Sequence, residues 1–167
     1  MEGIPRCRLK PISPEDGGQV MAIYNYYVEN SFAAFPERKV YSQSFDLFMN
    51  LSQGYPFLTA KSEEGNVLGF GLLHAYNPMS TFSRAAEITY FISPEETRRG
   101  IGQMILDRLI EDAKKLGITS ILACISSENQ PSLAFHRKNG FRECGRFINI
   151  GRKMGMDFDV VWMQKLI

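Results

Sequence analysis

The segment Thr89-Tyr-Phe-Ile-Ser-Pro-Glu-Glu-Thr-Arg-Arg-Gly-Ile-Gly-Gln103 constrains the fold more than any other part of this chain. An apolar, strand-like stretch stops at Ser93-Pro94. A turn follows, and an amphipathic run starts at the glycine pair and continues to Leu116. A strand that feeds a glycine turn and then a helix aims free backbone N–H groups at one spot, and the positive end of the helix dipole adds to them. Gly100 and Gly102 let the main chain approach a bulky anion, because neither carries a Cβ. The segment therefore predicts a site for a phosphorylated cofactor. Two common glycine loops do not fit. There is no Gly-Lys-Ser/Thr, no third glycine at the dinucleotide spacing, and no repeating strand–helix pattern upstream.

The remaining sequence supplies a sheet for that site. Residues 6–12 read as a first strand. Ser13-Pro14-Glu15-Asp16 reads as a helix start, with Ser13 as the cap, Pro14 in the first turn and acids beside the dipole. Val20, Ile23, Tyr24 and Tyr27 then recur at helical spacing. Residues 31–42 read as a loop and 43–52 as a second helix that stops at Gly54. Phe57 to Lys61 and Val67 to Tyr76 read as a hairpin around Glu63-Glu64-Gly65-Asn66. After a loop at 77–83, the strand Arg84 to Ile92 puts Glu87, Thr89 and Phe91 on one face and Ala86, Ile88 and Tyr90 on the other. The helix 100–116 turns Ile101, Met104, Ile105, Leu109 and Ala113 inward and ends at Gly117. Residues 119–126 are a continuous apolar run, expected at the sheet centre. A short helix, 131–139, ends at Gly140, and strands near 141–150 and 157–166 follow. This order implies an α/β (α+β) chain with a mixed, mostly antiparallel sheet of about seven strands flanked by four helices. No repeat or low-complexity segment interrupts it, so one domain is expected over 1–167.

Composition narrows the function classes. The 19 Lys and Arg against 18 Asp and Glu give a net charge of +1, without the basic stripe that a nucleic-acid partner needs. No run reaches transmembrane length, and Met1 to Pro5 lacks the basic start and apolar run of a leader. Cys7, Cys124 and Cys144 have no metal-ligand spacing, and Cys124 reads as a reduced core residue in its apolar strand. The expectation is a cytoplasmic protein with no metal.

The stretch Thr97-Arg98-Arg99-Gly100-Ile101-Gly102 resembles the acetyl-CoA loop of the GNAT superfamily of N-acetyltransferases, usually Arg/Gln-x-x-Gly-x-Gly/Ala, with Thr97 in place of the first residue. A second match is Asn129-Gln-Pro-Ser132 with Phe135-His136-Arg-Lys-Asn-Gly140-Phe141. His136 stands where the family commonly has Tyr, which narrows the resemblance to the phosphinothricin acetyltransferase-like branch. Tyr24-Asn25-Tyr26-Tyr27, Glu87-Ile-Thr-Tyr-Phe-Ile and the tail Gly151-Arg-Lys-Met-Gly-Met-Asp-Phe-Asp159-Val are similar to that branch as well. Asp159 fits its pattern, whereas Asp157 stands roughly where the branch often has Trp. The resemblance implies the GNAT fold and a homodimer with the late strands and acceptor loops near the interface.

It also implies a reaction: acetyl transfer from acetyl-CoA to the primary amine of a small amino-acid-like acceptor such as phosphinothricin, methionine sulfoximine or methionine sulfone. Such an amine has a pKa of about 10, so at pH 7 about one molecule in a thousand is reactive, a deficit of about 4 kcal/mol. A general base must take its proton. Glu87, a carboxylate in an apolar strand, is the expected base through a water; the plainer reading is an ion pair with Arg84 or an edge surface residue. His136 is the expected acid for the CoA sulfur, against a packed histidine that orders its loop. Backbone N–H groups near Phe91 and Ile92 are expected at the oxyanion. The resemblance assigns the cofactor to Tyr90, Phe91, Ile92, Arg98, Arg99, Gly100, Ile101, Gly102, Gln103, Asn129 and Ser132. It assigns the acceptor to Phe32 and Phe35 in a lid loop and to Arg84, which suits bidentate contact with a carboxylate. Tyr24 and Tyr27 read as core. No cysteine is placed as a nucleophile, so direct attack is expected. Two alternatives stay open: acetylation of a peptide or protein N-terminus, whose α-amino pKa of about 8 asks less of a base, and a non-catalytic acyl-CoA-binding module.

Overall fold

A computed structural model describes residues 7–167. Arg6, expected in the first strand, and Met1 to Pro5, read for a leader, lie outside the described residues. The elements are β1 (Cys7–Pro11), α1 (Gly17–Asn30), α2 (Ser44–Leu51), β2 (Phe57–Ser62), β3 (Val67–Ala75), β4 (Ala85–Ile92), α3 (Ile101–Lys115), β5 (Ser120–Ser126), α4 (Gln130–Lys138), β6 (Arg142–Lys153) and β7 (Met156–Leu166). The seven strands make one mixed sheet in the order β1-β2-β3-β4-β5-β7-β6. Every neighbouring pair is antiparallel except β4 and β5. The expected α/β architecture of seven strands and four helices is present. The middle position belongs to β4 rather than β5, because β7 and β6 extend the sheet beyond β5.

Alternation along the strands builds an apolar core on each face. On one, Leu73, Ile88, Ile121 and Met163 pack under Ile101, Ile105, Leu106 and Leu109 of α3. On the other, Phe57, Phe70 and Leu72 pack under Val20, Met21 and Ile23 of α1 and Phe45 of α2. Of the expected inward positions in α3, Met104 is only half-buried, and Leu106 is buried instead. The helix α3 comes close to the sheet at Gly71, where an added Cβ would sit 2.5 Å from Cγ2 of Ile105. The helix start at Ser13 is a 3-10 turn, Pro14–Asp16, that leads into α1. The Ser13 N–H donates to Oδ2 of Asp16 (3.0 Å), and Asp16 also pairs with Lys61 (2.6 Å).

The seam between β4 and β5 is short. Ala85, Ala86 and Glu87 pair with Ser120, Ile121 and Leu122, and the pairing stops there. The outer edges of both strands stay paired to their other neighbours, β3 and β7.

Candidate active site

A cleft of about 870 Å3 opens where β4 and β5 stop pairing. Glu87 to Ile92 of β4 and Ala123 to Ser126 of β5 line it, with the N-terminus of α3, one side of α4 and the loop after α1. Gly100 starts α3 in the left-handed region (φ 85°), which a residue with a Cβ adopts only under strain. Gly100, Gly102, Gln103, Thr97 and Arg98 all face the cleft. A Cβ on Gly102 would meet Ile92 and Phe135 at 3.8 and 3.9 Å, ordinary contact distances, so that glycine is not required by packing. Thr97 donates its hydroxyl to the Pro94 carbonyl (3.0 Å) and closes the turn. Of the two arginines, Arg98 faces the cleft while Arg99 pairs with Glu96 (2.6 Å). Ile101 turns its side chain into the core. The first-turn N–H groups of α3 together with Arg98 suit a phosphorylated ligand.

On the α4 side, Asn129 caps the helix, its Oδ1 accepting from the Ser132 N–H (3.3 Å). His136 is buried, with Nδ1 2.7 Å from the Ser132 carbonyl oxygen. A carbonyl only accepts, so Nδ1 carries the hydrogen. Nε2 then accepts from the Tyr90 hydroxyl at 2.6 Å. Burial lowers the His136 pKa, partly offset by its bond to Ser132. Burial also raises the Tyr90 phenol. The two form a neutral hydrogen-bonded pair, and both line the cleft.

On the opposite side of the sheet, Glu87 is half-buried beside Thr89 and Cys124. Burial raises its carboxyl pKa above 4.5, and the nearby His74 opposes the rise. The basic side chain within 4 Å of the Glu87 carboxylate is His74 (3.9 Å), not Arg84. Arg84 is exposed, lies outside the cleft, and contributes its carbonyl to the Thr119 and Ser120 N–H groups. Cys124 lines the cleft rather than the core, and burial, with the charge of Glu87, pushes its thiol up to about 12. Tyr24 and Tyr27, expected in the core, also line the cleft. Tyr24 meets Phe48 and Phe91 edge-on, and the Tyr27 hydroxyl donates to the Ile92 carbonyl (2.6 Å).

The loop after α1 covers this side. Phe35 lines the cleft and stacks on Phe158 at 5.8 Å. Phe32 touches the same ring edge-on but does not reach the cleft. Beneath them the buried Lys153 donates Nζ to the carbonyls of Ser31 (2.7 Å) and Ala34 (2.6 Å). Asp157 and Asp159 lie outside the cleft and pair with Arg152 (2.8 Å) and Arg146 (2.6 Å) on β6.

The structure therefore brings Glu87, Tyr90, Phe91, Ile92, Arg98, Gly100, Gly102, Gln103, Asn129, Ser132, His136 and Phe35 to one cleft, and leaves Arg84, Arg99, Ile101 and Phe32 off its walls. Sequence reasoning missed His74 and Lys153. His74 was findable from an antiparallel pairing of β3 with β4, in which it lies directly opposite Glu87.

The acetyltransferase (GNAT) family model matches residues 20–141. The L-methionine sulfoximine/L-methionine sulfone acetyltransferase of Pseudomonas aeruginosa is 31% identical over 147 residues, 87% of this chain and 86% of that protein. Among solved structures, a phosphinothricin acetyltransferase from Sinorhizobium meliloti in complex with acetyl-CoA superposes with a TM-score of 0.91 at 27% identity, covering 97% of this chain and 89% of that one. A ribosomal-protein-alanine N-acetyltransferase from Brucella melitensis superposes with a TM-score of 0.89 at 30% identity, covering 96% and 99%.

Proposed function

The chain belongs to the acetyltransferase (GNAT) family, and we propose that it moves the acetyl group of acetyl-CoA to the primary amine of a small amino-acid-like acceptor of the methionine sulfone, methionine sulfoximine or phosphinothricin type. The observation that carries this reading is the half-buried Glu87 on the floor of a cleft whose far end presents the start of α3. In this reading Glu87 takes the ammonium proton and the amine attacks the thioester carbon directly. Backbone N–H groups near Phe91 and Ile92 face the developing oxyanion. The C–N bond forms, the C–S bond breaks, and the departing sulfur takes the hydroxyl proton of Tyr90, which the neutral His136 holds in place through Nε2. Of the two protons the nitrogen loses, the one taken by Glu87 passes to solvent and the second, relayed through water, restores the Tyr90 hydroxyl. Acetyl-CoA lies along Arg98, Gly100, Gly102, Gln103, Asn129 and Ser132, and the acceptor lies under Phe35, against Thr89 and the aromatic wall of Tyr24 and Phe91.

The test is thiol release from acetyl-CoA against free amino acids, phosphinothricin, methionine sulfoximine, methionine sulfone, polyamines and short peptides. Turnover with the amino-acid analogues supports the acceptor class. Turnover with peptides alone overturns it in favour of N-terminal acetylation, the activity in the name of the Brucella melitensis protein.

We further propose a single domain over 1–167 that works as a homodimer in the cytoplasm. The edge strand β6 carries the exposed residues Phe147, Ile148 and Ile150 (54%, 67% and 60%), and an apolar edge of this kind calls for a partner. Light scattering of the wild type and of Ile148→Lys tests it: a dimer that becomes a monomer supports the reading, and a wild-type monomer overturns it. The free cysteines fit a reducing compartment.

A further inference from the structure

The chain has two histidines, and the one not used in the proposed transfer lies beside the proposed base. Strands β3 and β4 pair so that His74 is directly opposite Glu87, on the same face of the sheet. Nε2 of His74 stands 3.9 Å from Oε2 of Glu87. Nδ1 lies 3.0 Å from the Ala75 carbonyl oxygen. That oxygen only accepts, so Nδ1 carries the hydrogen and Nε2 is the nitrogen that faces Glu87. The side chains are 19% and 22% exposed, enough to exchange protons with water and enclosed enough for their charges to matter to each other. The Cys124 thiol also feels Glu87; its pKa is pushed up to about 12, so it stays neutral at working pH. Among the described residues no other cation pairs with Glu87.

We propose that His74 is a positioning residue for the acetyl transfer: as an imidazolium it holds the Glu87 carboxylate ionised and oriented at the floor of the cleft. This rests on the reading of Glu87 as the general base. The bond to Ala75 fixes the ring, so the pair works without a hydrogen bond between its members. The cation acts where the amine's proton is to be received, and it favours the form of Glu87 that can receive it.

The experiment is a pH titration of the Glu87 carboxyl carbon by NMR in glutamate-labelled protein, with Glu87→Gln to assign the resonance, in wild type, His74→Gln and His74→Lys. The pH profile of kcat/KM is measured on the wild type and the two His74 variants. In His74→Gln the carboxyl is expected to titrate at a higher pH than in wild type, and in His74→Lys at the same or a lower pH. On the acid limb kcat/KM is expected to fall roughly threefold in His74→Gln and to recover in His74→Lys. An unmoved Glu87 midpoint in both variants overturns the inference. So does a shift of equal sign in both, which means geometry acts rather than charge. If the carboxyl moves as expected but the acid limb does not follow it, the pair stands and the reading of Glu87 as base fails.

Discussion

A buried carboxylate is costly unless something uses it, and Glu87 lets that cost be measured. Its folded-state pKa lies above 4.5 because of burial. A group raised in the folded state favours folding below its unfolded value and loses that contribution as pH rises through the folded value. Glu87→Gln, which imitates the protonated acid, is therefore expected to raise the melting temperature at pH 7. The gain should vanish below pH 4.5 in calorimetry. Turnover should fall by about 10²- to 10⁴-fold, with little change in acetyl-CoA affinity. His136 has the opposite sign. Burial lowers its pKa beneath 6.5, so its contribution is present above 6.5 and is lost as pH falls from there through the folded value. Tyr90→Phe removes the donor to His136 Nε2, leaves a buried acceptor unpaired, and should destabilise the fold by about 1–3 kcal/mol in denaturant titrations. Glu87 was legible in the sequence because a carboxylate interrupts an apolar alternation. Cys124 was misplaced, and Tyr24 and Tyr27, which pack against the core as expected, line the cleft as well, because an apolar neighbourhood looks the same whether it closes on itself or opens onto a cleft. Nothing in a one-dimensional pattern shows where two strands stop pairing.

At the scale of elements, the loop after α1 is held from beneath. Lys153 sits at the end of β6 and ties the carbonyls of Ser31 and Ala34. Lys153→Met is expected to free the loop that carries Phe35, raising KM for the acceptor several-fold and leaving KM for acetyl-CoA unchanged. Loss of acetyl-CoA binding with no change in acceptor KM would contradict the arrangement. The α3 start offers a cleaner separation. Gly100→Ala must adopt φ 85° with a Cβ, and should cost about 1–2 kcal/mol of stability. Gly102→Ala has room in the packing, so it should melt like the wild type and yet bind acetyl-CoA more weakly in calorimetry. The α3 start was legible because its signals are local: a proline turn, two arginines and a glycine pair. Lys153 was not, because its partners lie 119 and 122 residues away along the chain. The extent of β6 was also missed. It was expected near 141–150 and runs Arg142–Lys153, since register shifts between Glu143 and Gly145 and between Phe147 and Gly151 scramble its alternation.

Over the whole molecule, the element order and the mixed sheet followed from the spacing of turns and apolar runs. The position of β5 did not, because sequence adjacency says nothing of how β7 inserts between β5 and β6. The seam has a mechanical consequence. Seven register pairs join β3 to β4 and seven join β5 to β7, but only three join β4 to β5. The sheet is thus two plates on a short hinge, held on one face by the core under α3 and open along the cleft. A ligand lying in that gap is a rivet between the plates. Acetyl-CoA at about a hundred times its Kd should add about 2.7 kcal/mol of stability. Amide exchange should slow most at 88–92 and 123–126, the two lips of the fault line, and less within either plate. The expectation is that the chain draws part of its rigidity from its own co-substrate, so that the shortest seam of the sheet is also the one a bound ligand stiffens most.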